Sequence, residues 1–198
     1  YVKTDCACKN LKTHCGNNLC LEGTRFVAVK LIDVAGLVPG AHEGKGLGNQ
    51  FLTDAMQADA LVHVVDISGS TDIQGQPVNI GTHDPMEDIK FVEEEFDLWF
   101  KQILDREWPK LIKEIEQKRT KVSDGLAHRF TGIGINESYI DQVLNRMSLK
   151  SKNLKEWSEL DIMNFLKSLR KISKPMLIAS NKADLCEDLD IIKKISEN

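Results

Sequence analysis

Three short apolar runs, each followed at once by polar residues, constrain the fold more than any other feature of this sequence. The runs cover residues 25–33, 61–66 and 175–180, and each is typical of a buried β-strand. Apolar residues recur with a helical period over residues 49–60, so the first two strands and this helix predict a βαβ unit. The sequence therefore predicts an α/β fold built on a parallel sheet.

A helical block is predicted between the second and third strands, over residues 84–173. Its first helix has one apolar stripe, made by Val92, Phe96, Trp99 and Ile103. Pro109 is expected to open a second helix, because proline is tolerated at the first helical position. Asn136 is predicted to cap a helix that runs to about Met147, and Ser158 with Asp161 predicts a capping box for a helix that ends near Lys171.

This helical block is too long to be a plain connection between two strands. Residues 84–173 are therefore predicted to form an inserted helical subdomain. Residues 1–83 and 174–198 are predicted to form the domain that carries the sheet.

The first motif that indicates chemistry is D-x-x-G, made by Asp33 and Gly36 at the end of the first predicted strand. Ligands of open α/β sheets bind at the carboxyl ends of the strands. An aspartate there is suited to hold Mg²⁺ through water, and a glycine lets a backbone N–H approach a terminal phosphate. Leu37 follows where many GTPases carry a glutamine that orients water, and leucine has no hydrogen-bonding group, so a GTPase with this residue is expected to hydrolyse slowly on its own.

The second motif is N-K-x-D, made by Asn181, Lys182 and Asp184 directly after the third predicted strand. The Asp184 carboxylate is able to accept hydrogen bonds from N1–H and the 2-amino group of guanine, and adenine lacks both donors. Asn181 is suited to contact the other edge of the base, and the aliphatic stem of Lys182 to lie over the ring. We therefore predict that Asp33 and Asp184 face one shared nucleotide pocket.

A third candidate, over residues 40–46, is excluded as a phosphate-binding loop. It is one residue shorter than G-x-x-x-x-G-K-[ST], and Gly46 stands where a magnesium-binding Ser or Thr is required. We predict a loop here instead. Asp66, which ends the second predicted strand, is expected to cap the loop that follows it.

Four of the five cysteines, Cys6, Cys8, Cys15 and Cys20, lie within fifteen residues of one another. Four thiolates are able to close a tetrahedral Zn²⁺ site, but their spacing is not the usual pair of C-x-x-C motifs. The alternative is a loop of reduced cysteines. The odd number and the lack of a secretory signal argue against a disulfide framework.

Charge and hydropathy exclude further classes of protein. The chain carries 26 basic and 30 acidic residues, a net charge of −4, so no overall basic field indicates nucleic acid, and binding to it would require a local basic patch. No apolar run approaches the roughly 20 residues that span a bilayer, so a membrane protein is not expected. We expect a cytoplasmic location. The sequence does not indicate an oligomeric state.

Three long segments, residues 31–41, 46–52 and 63–72, resemble the YchF subfamily of Obg-like GTPases in its archaeal form. Other segments that fit are residues 83–85, Trp99, residues 130–134 and residues 174–175. The resemblance implies a P-loop NTPase G domain with a helical, coiled-coil-like insertion, a TGS domain, nucleotide hydrolysis, and an association with the ribosome or RNA.

Site residues follow from this resemblance motif by motif. It implies that Asp33 holds the Mg²⁺ water, that Gly36 contacts the γ-phosphate, and that Leu37 is the subfamily's apolar replacement of the catalytic glutamine. Many members of the subfamily carry Glu at the position of Asp184 and prefer ATP, so Asp184 favours GTP here.

The same resemblance implies that the phosphate loop would precede Tyr1 and the TGS domain would follow Asn198. We therefore expect an internal piece of a longer protein that binds nucleotide weakly and is inactive on its own. The predicted activity of the complete protein is Mg²⁺-dependent hydrolysis of GTP to GDP and phosphate, as a molecular switch. The alternatives are an ATP-preferring hydrolase and a ribosome- or RNA-binding module in which hydrolysis is incidental.

Overall fold

The computed structural model describes residues 1–34, 36–37, 39–44, 48–118, 120–186 and 190–197. The chain divides into two compact units, Tyr1–Asp33 and Val34–Asn198. The predicted α/β fold with a parallel sheet is confirmed. The predicted division into a sheet domain and an inserted helical subdomain at residues 83/84 and 173/174 stays a prediction.

The first unit contains strand β1 (Val2–Asp5), helix α1 (Ala7–Leu11), β2 (Cys20–Leu21) and β3 (Thr24–Val27). The sheet is antiparallel with strand order β1-β3-β2. Glu22 and Gly23 connect β2 to β3, and both have positive φ angles, 48° and 82°. A two-residue connection with this backbone is the tight turn that matches the twist of a hairpin.

The prediction of a buried parallel strand over residues 25–33 was wrong. The strand ends at Val27, and both of its partners are antiparallel. Residues 28–33 lie in no strand, and Leu31 is 86% exposed. The physical reason is that β3 pairs with local segments joined by short connections, which cost little chain entropy. The predicted βαβ unit therefore does not form in the part of the chain that the structure describes.

The second unit contains α2 (Gly48–Ala55), β4 (Leu61–Asp66), α3 (Pro85–Lys118), α4 (Val122–Phe130), α5 (Glu137–Arg146), α6 (Glu159–Ser173), β5 (Met176–Asn181) and α7 (Asp190–Glu197). Strands β4 and β5 pair in parallel, from Leu61 opposite Met176 to Asp66 opposite Asn181. The predicted start of the last helix at residue 188 lies outside the described residues.

A single helical core fills most of this unit. Its largest fully buried side chains are four phenylalanines contributed by α3, α4 and α6, namely Phe96, Phe100, Phe130 and Phe165. Between α3 and α6, the buried Arg170 Nε donates to Asp97 Oδ1 at 2.8 Å. The ion pair and the rings together fix how these helices pack.

Local capping signals were confirmed, whereas the predicted helix break was wrong. The Asn136 side chain accepts a hydrogen bond from Tyr139 N, and Ser158 with Asp161 forms a complete capping box. Pro109 does not open a new helix but lies inside α3, which is 34 residues long. A proline there costs about 3 kcal/mol. The helix continues because Leu104 and Leu111, before and after the proline, are both buried in the same core.

The expectation that β4 and β5 are buried was correct for one face only. Val65 is 1% exposed, but its neighbour Val64 is 61% exposed. The same open face carries Val62 and, opposite it, Leu177. In the described residues no helix is long and apolar enough to cross a membrane.

Candidate nucleotide site

The carboxyl ends of β4 and β5 bring two predicted features together. Asp66 ends β4 and lies opposite Asn181, which ends β5. The backbone N–H of Ile67 then donates to the carbonyl of Asn181 at 3.1 Å, so the two strands stay joined as the chains leave the sheet. In parallel sheets this edge is where ligands bind.

Asp66 organises the loop after β4, as the sequence predicted. Its carboxylate accepts hydrogen bonds from the backbone N–H and the hydroxyl of Ser68, at 3.1 and 2.6 Å. It also accepts from the hydroxyls of Ser70 and Thr71, at 2.8 and 2.9 Å. Burial alone would raise the pKa of the Asp66 carboxyl, but these bonds and one from Lys182 outweigh it and lower the pKa well below its ordinary value.

Lys182 is the fifth donor to this carboxylate, and the sequence analysis missed the contact. Its Nζ donates to Asp66 Oδ2 and to Ser70 Oγ, each at 2.8 Å. The residue has a positive φ of 55°, which turns the chain from β5 into the short 3-10 turn Ala183–Leu185. Only the parallel pairing of β4 with β5 reveals that Asp66 and Lys182 are neighbours, because 116 positions separate them in the sequence.

Asn181, Lys182 and Asp184, the predicted base-reading residues, are therefore held in one segment at the sheet edge. Asn181 and Asp184 are exposed, whereas Lys182 is half-buried and anchored. The exposed Asp184 carboxylate is able to accept hydrogen bonds from a ligand. Their predicted role in reading the base stays a prediction.

Glu95 of α3 holds the loop that follows the D-x-x-G motif. Its Oε1 accepts a hydrogen bond from Gly40 N at 2.7 Å, and its Oε2 accepts from His42 N at 2.9 Å. The Nδ1 of His42 lies 2.6 Å from the same Oε2. Burial alone would raise the pKa of Glu95, but the bonds from His42 and Gly40 lower it below its ordinary value. Sequence patterns gave no sign of this clamp, because Glu95 lies among many charged residues of α3.

The two residues predicted to act at the γ-phosphate lie in this same unit. Leu37 is half-buried and packs against the helical core. Gly36 is exposed, and an added Cβ there would meet nothing within 4 Å. Residues 35, 38 and 45–47 of the predicted loop lie outside the described part of the chain.

Asp33, the predicted magnesium ligand, is the last residue of the first unit. It is exposed and belongs to no strand. Asp184 is part of the second unit. The prediction that these two carboxylates share a nucleotide pocket therefore stays a prediction.

The first unit brings all four predicted metal-binding cysteines together. The Sγ atoms of Cys6, Cys8, Cys15 and Cys20 lie within 4.8 Å of one another, and these residues form no disulfide. Hydrogen bonds from the backbone and thiol of Cys8 lower the pKa of Cys6 to about 6. The thiol–thiol hydrogen bond with Cys6 raises the pKa of Cys8 to about 12. The fifth cysteine, Cys186, lies in the second unit.

Comparison with known proteins gives relatives that are described as GTP-binding proteins or GTPases. Residues 9–99 match the family model described as 50S ribosome-binding GTPase. The chain is 45% identical over 186 residues to an uncharacterized GTP-binding protein of Methanocaldococcus jannaschii, covering 93% of this chain and 46% of the relative. It is 36% identical over 188 residues to an uncharacterized GTP-binding protein of Schizosaccharomyces pombe, covering 93% of this chain and 45% of the relative.

More distant and structural relatives agree. The GTPase Obg of Alkaliphilus metalliredigens is 30% identical over 146 residues, which cover 68% of this chain and 31% of that protein. A crystal structure of a GTP-binding protein from Pyrococcus horikoshii superposes with a TM-score of 0.76 at 35% identity, covering all of this chain and 52% of that one. The chain thus spans about half the length of the relatives that it matches most fully.

Proposed function

We propose that this chain, which is similar to GTP-binding proteins and more distantly to the GTPase Obg, is part of a GTPase that binds GTP, hydrolyses it to GDP and phosphate, and acts as a molecular switch. Within that class we assign it to the YchF subfamily, on the resemblance of residues 31–41, 46–52 and 63–72. We place its activity in the cytoplasm.

One observation carries the proposal of guanine binding: the N-K-x-D segment starts where a parallel strand ends, with its lysine already anchored. Asp66 and Ser70 hold the Lys182 ammonium group, which fixes its aliphatic stem two residues before the exposed Asp184. A guanine base on that stem would offer its N1–H and 2-amino group to the carboxylate. Adenine would leave the carboxylate without donors, which costs about 1–3 kcal/mol or more for a charged group.

Mg²⁺ fits the donor chemistry of the D-x-x-G motif. Asp33 is an exposed carboxylate, and Mg²⁺ prefers oxygen ligands while it retains part of its hydration shell. When bound, the ion would supply charge that neutralises the phosphate oxygens. Gly36 would leave room for a phosphate, since no described residue other than its chain neighbours lies within 4 Å of the place where a Cβ would be.

Hydrolysis would proceed without a side chain that orients water at the position of Leu37. Leu37 carries no hydrogen-bonding group and packs against the helical core, so water must be held by other groups. The slow step this implies is consistent with a switch that a partner accelerates. The family description, 50S ribosome-binding GTPase, and the Obg relatives support the ribosome or RNA as that partner.

The switch itself would act through the Glu95 clamp. The loop after Gly36 is tied to α3 by three contacts to one carboxylate, so a phosphate-dependent movement of this loop would be felt directly by the long helix. In this proposal, a movement of α3 transmits to the partner whether GTP or GDP is bound.

The test exchanges the base that the protein selects. In the complete protein that carries this chain, Asp184→Asn replaces an acceptor by an amide that donates to the 2-carbonyl of xanthine. We expect GTP affinity to fall by roughly 100-fold or more, and XTP affinity to rise above that for GTP. Competition of GTP, ATP and XTP against a fluorescent nucleotide measures both changes, and phosphate release measures turnover.

Controls decide between the proposal and its rivals. Asp105→Asn removes an exposed carboxylate on α3 and should leave all three affinities unchanged. ATP preference in the wild type, with no response to Asp184→Asn, would overturn the guanine assignment. Phosphate release unaffected by Asp33→Ala would remove the enzyme assignment and leave a binding module.

A further inference from the structure

The unit formed by residues 1–33 has almost no apolar core. Cys6 is its one fully buried side chain among those described, while large apolar side chains such as Leu11 and Leu21 are 69% and 64% exposed. A segment of this size buries too little surface to be stable by itself, and small domains of this kind rely on disulfides or metals. Hydrophobic packing is therefore not enough to stabilise this unit, and a cross-link such as a bound metal is required.

The cysteine thiols have the spacing that a shared metal requires. Cys6 Sγ lies 3.7 Å from Cys15 Sγ, and Cys8 Sγ lies 3.6 Å from Cys20 Sγ. Four sulfurs bound tetrahedrally at about 2.3 Å from zinc are separated from one another by about 3.8 Å. All four sulfurs here lie within 4.8 Å of one another, so one ion can reach every one of them after small side-chain movements.

Backbone hydrogen bonds position the cysteines before any metal is considered. Cys6 N donates to Gly23 O at 2.8 Å, which joins the start of α1 to the hairpin turn. Lys9 N donates to Cys6 O at 3.0 Å and turns Cys8 back toward Cys6. Cys20 N donates to Asn17 O at 2.9 Å, so the loop that carries Cys15 returns directly to β2.

Arg25 supplies an independent sign that negative charge belongs at this place. It lies opposite Cys20 in the β2–β3 register, so the two side chains are on the same face of the sheet. Its Nε is buried and has no hydrogen-bond partner among the described residues. A sulfur of a zinc tetrathiolate, which carries a net charge of −2, would accept that hydrogen bond.

We propose that Cys6, Cys8, Cys15 and Cys20 bind one Zn²⁺ ion and that this ion stabilises the fold of residues 1–33. Binding converts the four cysteine side chains and Zn²⁺ to a four-coordinate tetrathiolate and releases one proton from each side chain that is still a thiol. Because the protein fills all four positions, no position is left for substrate, and the site is structural rather than catalytic. Sulfur-only tetrahedral sites select zinc or iron over magnesium and calcium.

The first measurement is the metal content of the chain purified without added metal or chelator. We expect about one zinc and no iron per chain, and replacement by Co²⁺ should give the visible spectrum of a tetrahedral thiolate site. Cys8→Ser and Cys20→Ser should each lower zinc affinity by roughly 100-fold or more. Cys186→Ser, the matched control in the other unit, should retain the full amount of zinc.

A second measurement does not depend on how well the variants fold. All three tryptophans, Trp99, Trp108 and Trp157, are in the second unit, so their fluorescence follows that unit alone. After a strong chelator is added, trypsin should cleave after Lys9, Lys12 and Arg25 at least tenfold faster, while tryptophan fluorescence stays unchanged. Added Zn²⁺ should restore the slow cleavage.

Any of three results would overturn the proposal. These are iron in place of zinc, disulfides between the four cysteines in the freshly purified protein, or wild-type chain that lacks zinc yet resists trypsin in residues 1–33. None of these results bears on guanine binding, which is measured at Asp184.

Discussion

At the scale of single residues, the ion pair between Asp66 and Lys182 distinguishes this sheet edge from an ordinary strand end. Asp66 accepts five hydrogen bonds, one of them charge-assisted, and its side chain is 9% exposed. A carboxylate with so many donors stabilises the folded state only while it is ionised.

Asp66→Asn is therefore expected to lower the free energy of unfolding by about 1–3 kcal/mol at pH 7. The pKa of Asp66 is lower in the folded state, so in acid the unfolded chain takes up its proton first, and the stabilisation is lost as the pH falls below about 4. Urea unfolding followed by tryptophan fluorescence should thus show wild type and variant converging in acid. Asp105→Asn, an exposed partner of Lys101, should change stability by less than about 1 kcal/mol. Curves that stay parallel down to pH 3 would contradict the assignment.

Contacts that depend on neighbours in sequence were the ones that sequence analysis predicted. The strand Leu61–Asp66, the Asn136 cap and the Ser158–Asp161 capping box were confirmed because each is determined by a few adjacent residues. Lys182 was predicted to contact the nucleotide base. Its contact with Asp66 depends on the register of β4 with β5, which cannot be read from the residues around Lys182.

At the scale of elements, the errors came from competition between local preference and packing. Pro109 favours a helix start, but burial on both sides of it keeps α3 continuous. The apolar run at residues 25–33 favours a buried strand, but only its first residues find partners, in a hairpin sheet. In both cases the deciding contacts are made with residues that lie outside the short stretch of sequence from which the prediction was made.

The packing of the 3-10 turn Ala41–Glu43 on α2 makes a second prediction. Gly48 begins α2, and a Cβ added there would lie 2.4 Å from Ala41 Cα and 2.5 Å from its carbonyl oxygen. Gly48→Ala must displace that backbone, and we expect a loss of about 1–3 kcal/mol in thermal or urea unfolding. The matched change Gly132→Ala meets nothing within 4 Å and should be nearly neutral. Equal effects of the two substitutions would show that the close approach is absent in solution.

At the scale of the whole molecule, the chain joins two units that are stabilised by different means. The second has a continuous core of aromatic and aliphatic side chains, whereas the first has a cysteine cluster and little else that is buried. The relatives that match nearly the whole chain are about twice as long as the matched region.

Two neighbouring valines of β4 test how the exposed face of the β4–β5 pair differs from the buried face. Val64 is 61% exposed, and Val65 is 1% exposed. Val64→Thr should leave the free energy of unfolding, measured in urea, within about 0.5 kcal/mol of wild type. Val65→Thr puts a hydroxyl among apolar side chains and should cost about 1–3 kcal/mol. A larger loss from Val64→Thr than from Val65→Thr would mean that the two faces have been assigned the wrong way round.

The clamp on Glu95 has a mechanical consequence for the turn that it holds. Gly40 and His42 reach one buried carboxylate through three contacts, so the turn cannot slip part of the way without stranding an acceptor in an apolar setting. We therefore expect the turn either to keep all three contacts with Glu95 or to lose them together. A weak force on the turn would then leave the contacts of Gly40 and His42 with Glu95 intact, and a sufficient force would break all of them.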